Sequence, residues 1–241
     1  MSASRPITTE EAIVLLESGE LEVVGRMPWS SNQTFLARLL HDGTHTFTVY
    51  KPRRGERPLW DFPDGTLCER EVAAFELSEA LGWAIVPPTI LRDGPMGVGM
   101  VQLFIDHDPE QHYLTLFDDF TERFRYFAAF DHIINNADRK AGHCLRDERD
   151  HVWGIDHGVS FHTAPHLRTV IWDFAGEHLP EAIASDVCRM IETFDDAVAP
   201  RLQDLLDPAE AGCVRARCER LLALGRFPNP RHDHPYPWPM V

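Results

Sequence analysis

The spacing of apolar residues changes character once along this chain, near residue 105, and that change limits what can be built on either side. Before it, Phe35, Ala37 and Leu39 alternate with Leu36, Arg38 and Leu40, and a turn follows at Asp42-Gly43. Thr44 to Tyr50 is then rich in β-branched and aromatic residues, which completes the pattern of an antiparallel hairpin. Ile85 to Leu91 and Val98 to Ile105, joined by the glycine-rich turn Asp93 to Gly97, predict two further strands. One helix precedes this sheet as an N-terminal brace and another interrupts it. Thr8-Thr9-Glu10-Glu11 has the form of a capping box before an apolar run that Gly19 ends. Leu67 to Leu81 carries Val72, Ala73, Phe75, Ala80 and Leu81 among acids and is closed by Gly82.

After Leu116 the helical period takes over. Phe120 to Ile134 is an aromatic helix, Ile183 to Leu206 and Ala209 to Leu224 are amphipathic helices, and Val152 to Ile155 and Val159 to Phe161 are short strand-like pieces. Pro228 to Val241, rich in Pro and His, reads as an extended tail that is partly ordered at best. The expectation is an α+β chain of two lobes. Residues 1–105 make a β-rich N-terminal lobe, residues 106–227 a mainly helical C-terminal lobe, and residues 228–241 a tail. With 241 residues, 44% of them apolar, the chain can bury a full core.

A formal net charge of -15 repels phosphate backbones and anionic bilayers at long range, so nucleic acid and a bare anionic membrane are unsuited as partners. A local basic patch can still form around Arg53, Arg54 and Arg57. No stretch reaches the roughly 18–20 apolar residues of a membrane helix, and Met1 to Pro6 lacks the apolar run of a signal peptide. The expected location is the cytoplasm, with no transmembrane segment. Cys68, Cys144, Cys188, Cys213 and Cys218 are odd in number and show no CxxC spacing, which argues against a disulfide framework and a zinc site.

The segment Ile133-Ile134-Asn135-Asn136-Ala137-Asp138-Arg139-Lys140-Ala141-Gly142-His143, followed by Trp153-Gly154-Ile155-Asp156-His157-Gly158, carries the chemistry. Phosphoryl transfer needs one carboxylate to orient or deprotonate the attacking hydroxyl and another to hold the metal that bridges the phosphates. Asp138 and Asp156, eighteen residues apart in two loops, supply that pair. In the kinase pattern H-R-D-x-x-x-x-N the second metal ligand lies five places after the base, which here is His143, and the D-F-G position is Asp156-His157-Gly158. Lys140, two residues after Asp138, is placed to neutralise the transferred phosphoryl group.

The combination Asn136-Ala137-Asp138-Arg139 after an aromatic helix, then Ile155-Asp156-His157-Gly158, resembles the type II phosphatidylinositol 4-kinases and the wider atypical kinases that include the HipA-type toxins. Glu71-Val72-Ala73-Ala74, Val86-Pro87-Pro88-Thr89 and Gly99-Met100-Val101-Gln102-Leu103-Phe104 are similar to the αC region, the next strand and the hinge of that lipid kinase family. The likeness runs over roughly Ser30 to Phe161, and actinobacterial PI3/PI4-kinase-like proteins carry nearly the same loop. The resemblance implies a kinase-like fold binding ATP with Mg²⁺ or Mn²⁺. It implies that Lys51, after the strand Phe47 to Tyr50, meets the phosphates and pairs with Glu71 or Glu69. It also implies nucleotide contacts from Gln102 and Phe104 in the hinge and from Ser30, Ser31 and Asn32.

That last loop, Trp29 to Thr34, contains no glycine, so its hydroxyls and backbone N–H groups replace a bare G-x-G turn. His143 replaces a hard asparagine oxygen with an imidazole, which either leaves one metal fully held or shifts preference toward manganese. The reading is an ATP- and metal-dependent phosphotransferase whose acceptor is a hydroxyl on a protein or small polar molecule. The alternatives are a nucleotide-binding pseudokinase or an AMP transferase. His132, within the helix before the loop, reads as a packed core histidine, and Asp173 as a structural cap.

Overall fold

The computed structural model describes residues 7–28, 32–41, 43–231 and 234–241. Ser30 and Ser31 therefore lie outside the described residues. The chain divides into two compact units, one of residues 1–72 and 87–104, the other of residues 73–86 and 105–241.

The first unit opens with α1 (Thr9–Ser18). Its capping box forms as the sequence predicts: the Glu11 N–H donates to the Thr8 hydroxyl at 3.2 Å and the Thr8 N–H to the Glu11 carboxylate at 2.9 Å. The strands are β1 (Glu20–Arg26), β2 (Phe35–His41), β3 (Thr44–Pro52), β4 (Thr89–Gly94) and β5 (Gly97–Leu103). They form one antiparallel sheet in the order β1-β2-β3-β5-β4. Leu16 of α1 packs with Leu21, Ala37, Leu39, Tyr50 and Val101 of the sheet to make the buried core. Arg92 of β4 ties down the end of α1 by donating to the carbonyls of Leu16 and Gly19 at 2.6 and 2.9 Å. Gly99 faces Pro52 across β3 and β5, where a Cβ would stand 2.4 Å from the Lys51 carbonyl oxygen. Only glycine lets the two strands approach so closely there.

The helix α2 (Leu67–Leu81) has the bounds that the periodicity predicts. Its first N–H groups are met by Glu56, whose carboxylate accepts from Leu67 at 3.1 Å and Cys68 at 2.8 Å, a favourable charge for a helix N-terminus. Residues from Ala73 onward belong to the second unit. Ile85 to Pro88, read from the sequence as the start of a strand, is not one; β4 begins at Thr89. The N–H groups of Ile85 and Val86 donate to the Ser78 hydroxyl, and Pro87 and Pro88 have none to give a ladder.

The second unit continues with α3 (Tyr113–Leu116), α4 (Thr121–Ile134), the short hairpin β6 (Cys144–Arg146) and β7 (Val152–Gly154), α5 (Glu181–Glu192), α6 (Ala199–Gln203) and α7 (Pro208–Leu224). Phe124, Phe127, Phe130, Ile133 and Ile134 of α4 are fully buried. Arg123 fastens this helix to the chain on both sides, donating to the carbonyls of Trp83, Ala84 and Val152. The single helix expected over Ile183 to Leu206 is interrupted after Glu192 by a π-turn, Phe194–Val198, and resumes as α6 with Pro200 in its first turn, because proline cannot donate to the preceding turn. Val159 to Phe161 joins no sheet; its backbone bonds instead to Ala137 and Ile134. The tail is held more firmly than its composition predicts. Pro235 accepts from the Thr169 N–H and the Trp172 indole, and Met240 from the Ala141 N–H.

Among the described residues no helix is long and apolar enough to cross a membrane. All five cysteines are free, and burial pushes the thiols of Cys68, Cys144 and Cys218 up to about 12.

Candidate active site

Helix α4 ends at Asn135, whose left-handed backbone (φ 55°) turns the chain out of the helix. The Asn135 amide donates to the carbonyls of His162 and Ala164. Asn136 Oδ1 accepts from the Asp138 N–H at 3.0 Å, an Asx turn that sets the next residues. Arg139 then turns inward. It pairs with Asp131 at 3.1 Å, both side chains at 0% exposure, and donates to the Ile155 carbonyl at 3.0 Å and His157 Nε2 at 2.6 Å. A guanidinium only donates, so His157 Nε2 accepts and carries no proton. Asn136 and Thr169 also donate to Asp131, each at 3.0 Å.

This buried network leaves Asp138 and Lys140 half-buried on either side of Arg139, with their side chains 32% and 22% exposed and 3.2 Å apart. Burial raises the Asp138 carboxyl above its ordinary value; Lys140 opposes that shift and the negative charge of Asp156 adds to it. A carboxylate so tuned holds a proton more readily than a solvated one, as a general base requires.

The β6–β7 hairpin brings the second loop alongside. Cys144 pairs with Gly154, and the Ile155 N–H donates to the His143 carbonyl at 3.0 Å. His143 Nε2 lies 3.5 Å from Asp156 Oδ2. A Cβ at Gly154 would meet Phe127 at 2.9 Å. Asp156 itself sits at φ +61°, a strained conformation for a residue with a side chain and one that the surrounding bonds must hold in place. Among the described residues no three His, Cys, Asp or Glu side chains gather as a metal cage. Two donors suit magnesium or manganese, which keep water and substrate phosphates among their ligands.

In the first unit, Lys51 Nζ lies 2.5 Å from Glu71 Oε1, with Glu71 2% exposed. Glu69 instead pairs with Arg53. Asn32 Oδ1 accepts from the Arg57 N–H at 2.9 Å, and the Gln33 N–H donates to the Gly55 carbonyl, so residues 32–33 are clasped to residues 55–57. Gln102 is buried and donates to the Thr89 hydroxyl at 2.8 Å, which commits its side chain to the sheet. The Phe104 N–H donates to the Phe47 carbonyl.

Asp131 and Thr169 received no role from the sequence, and Arg139 and His157 were only parts of a pattern. The available signal was Asp131 itself, a charge on the apolar side of an aromatic helix. His132 stacks edge-on against Trp172, as a packed histidine does, and Asp173 accepts from the Tyr113 hydroxyl.

A family profile described as phosphatidylinositol 3- and 4-kinase matches residues 88–199. Protein Rv2133c of Mycobacterium tuberculosis (strain ATCC 25618 / H37Rv) is 38% identical over 262 residues, covering 93% of this chain and 94% of that one. The crystal structure of the Helicobacter pylori proinflammatory kinase CtkA superposes with a TM-score of 0.53 at 11% identity, over 84% of this chain and 91% of that one. The fold is thus the kinase-like α+β fold, and the chain, a relative of Rv2133c, belongs to the PI3/PI4-kinase-like family.

Proposed function

We propose that this protein is an ATP- and divalent-metal-dependent phosphotransferase that phosphorylates a hydroxyl on a protein or small polar molecule. The observation that carries this reading is the pairing of two differently held carboxylates. Asp138 is tuned upward by burial beside Lys140, and Asp156 is fixed in a strained backbone beside His143.

In this mechanism Asp138 orients the acceptor hydroxyl and takes its proton, a role worth about 10²–10⁴ in rate. Lys140 offsets negative charge on the transferred phosphoryl group. Asp156 and His143 are the residues that would hold the metal, which when bound supplies Lewis-acid neutralisation of the phosphate oxygens. Lys51, fixed by Glu71, presents an ammonium to the nucleotide phosphates. The acidic surface favours a protein or small-molecule acceptor over an inositol lipid in an anionic bilayer.

The test is transfer from ATP labelled on the γ-phosphate, compared with ATP labelled on the α-phosphate, in wild type and Asp138→Asn. Incorporation of γ-label that falls with the substitution supports the reading. Incorporation of α-label alone would replace it with AMP transfer. His143 in place of an amide favours one second reading, a nucleotide-binding module without turnover. Nucleotide binding with no transfer of either label identifies that case.

A further inference from the structure

A cavity of about 70 Å³ opens in the second unit beside the end of α4, lined among others by His132, Asn135, Thr163, Arg217, Arg220 and Arg231. Three arginines around one small cavity run against the composition of a chain with a net charge of -15. Elsewhere in this unit Arg125, Arg146, Arg189, Arg201 and Arg215 each hold a carboxylate. Arg217 is 8% exposed and donates to two backbone carbonyls, Ile133 at 3.2 Å and His162 at 2.5 Å. Those two carbonyls hold the guanidinium beside the cavity, and the buried carboxylate of Glu210 on the same helix acts favourably on its charge. Among the described residues neither Arg220 nor Arg231 has a hydrogen-bond or ion-pair partner.

The three groups repel one another. Arg217 and Arg220 are both shifted down, first by burial, with Arg220 acting on the former and Arg231 on the latter. Arg220 and Arg231 are exposed and stand in water at the rim of the cavity, and guanidinium forks match the oxygens of phosphate. The Asn135 amide is already committed to the carbonyls of His162 and Ala164, so the recognition falls to the arginines. Thr163, exposed on the lining, carries the one hydroxyl among these six residues.

We propose that the cavity bounded by Arg217, Arg220 and Arg231 is a binding site for a phosphate-type oxyanion, either free phosphate or a phosphoryl group carried on Thr163. The free-anion case does not depend on the phosphotransferase reading. In the carried case Thr163 Oγ1 bonds to the γ-phosphorus of ATP, the bond to the bridging oxygen of ADP breaks, and the hydroxyl proton leaves to base. An anion here joins α7, the segment after the second loop and the tail at the end of α4, next to the loop that carries Asp138.

The full chain, treated with phosphatase and checked by intact mass, is heated in rising inorganic phosphate at constant ionic strength set with sodium chloride. A saturable rise of about 5 °C or more is expected at ~100 times the dissociation constant. The rise should vanish in the Arg220→Ala/Arg231→Ala double variant, whose melting point in chloride alone should be no lower than wild type because, among the described residues, neither side chain has a hydrogen-bond or ion-pair partner to lose. Phosphate bound at the nucleotide site persists in that variant and so is distinguished. If free phosphate has no arginine-dependent effect, protein phosphorylated at Thr163, located by peptide mass spectrometry, should melt higher than the dephosphorylated form in wild type only. Absence of both arginine-dependent effects overturns the proposal.

Discussion

Arg139 and Asp131 form an ion pair from which solvent is wholly excluded, and the same guanidinium reaches the carbonyl of Ile155 and the ring of His157. One buried side chain thereby holds together the end of α4, the loop of Asp138 and the loop of Asp156. Arg139→Met leaves the Asp131 carboxylate buried without its partner and is expected to cost about 3–5 kcal/mol. The double variant Asp131→Leu/Arg139→Met should recover much of that stability without recovering activity. Denaturant unfolding of the two variants checks the first expectation and γ-label transfer the second.

The pairing of Lys51 with Glu71, and of Arg53 with Glu69, makes a sharp comparison in the first unit. Lys51→Met should weaken nucleotide-dependent thermal stabilisation and reduce transfer by about tenfold or more, the cost of roughly 1.4 kcal/mol lost from a charge-assisted contact. Arg53→Met removes a half-exposed pair and should alter stability by less than about 1 kcal/mol, with transfer unchanged. Equal losses in both variants would remove the distinction between the two lysine–acid and arginine–acid pairs.

His143 stands 3.5 Å from Asp156, where an imidazole favours softer divalent ions than an amide oxygen does. His143→Asn should raise the ratio of magnesium-supported to manganese-supported transfer, by about tenfold if one ligand contributes roughly 1.4 kcal/mol of discrimination. Metal titrations at fixed ATP measure it. An unchanged ratio would show that Asp156 sets the metal alone.

Much of this arrangement was readable in the sequence because it is local. Leu67–Leu81 is delimited by its own periodicity and by Gly82, which takes φ +72°. The two acids eighteen residues apart are likewise a property of chain order, and the hairpin between them needs only short-range pairing. The Arg139 network is different in kind: it joins residues 131, 139, 157 and 169, and a lone charge on an apolar helix face announces a partner without naming it. The tail's attachment was hidden for another reason. It runs through the carbonyls of Pro235 and Met240, and backbone acceptors leave no mark in composition. The break after Glu192 turns on Pro200 in the first turn of α6, which the long apolar period masked.

His132 supplies a pH dependence whose sign follows from its burial. Desolvation, reinforced by Arg220 and Arg231, lowers its pKa from 6.5 to about 3. The folded state therefore declines a proton that the unfolded chain accepts below pH ~6.5, so the unfolded state binds more protons in that range. Stability is full above pH ~6.5 and falls as pH drops from there toward 3, by up to about 1.4 kcal/mol per pH unit for this one group. Replacing it with a side chain that does not titrate, His132→Gln, should flatten the fall in melting temperature between pH 7 and pH 5. Because carboxylates shape the curve at lower pH, the comparison belongs in that window. If wild type and variant run parallel there, the ring is solvated in the folded protein and its packing against Trp172 does not exclude water.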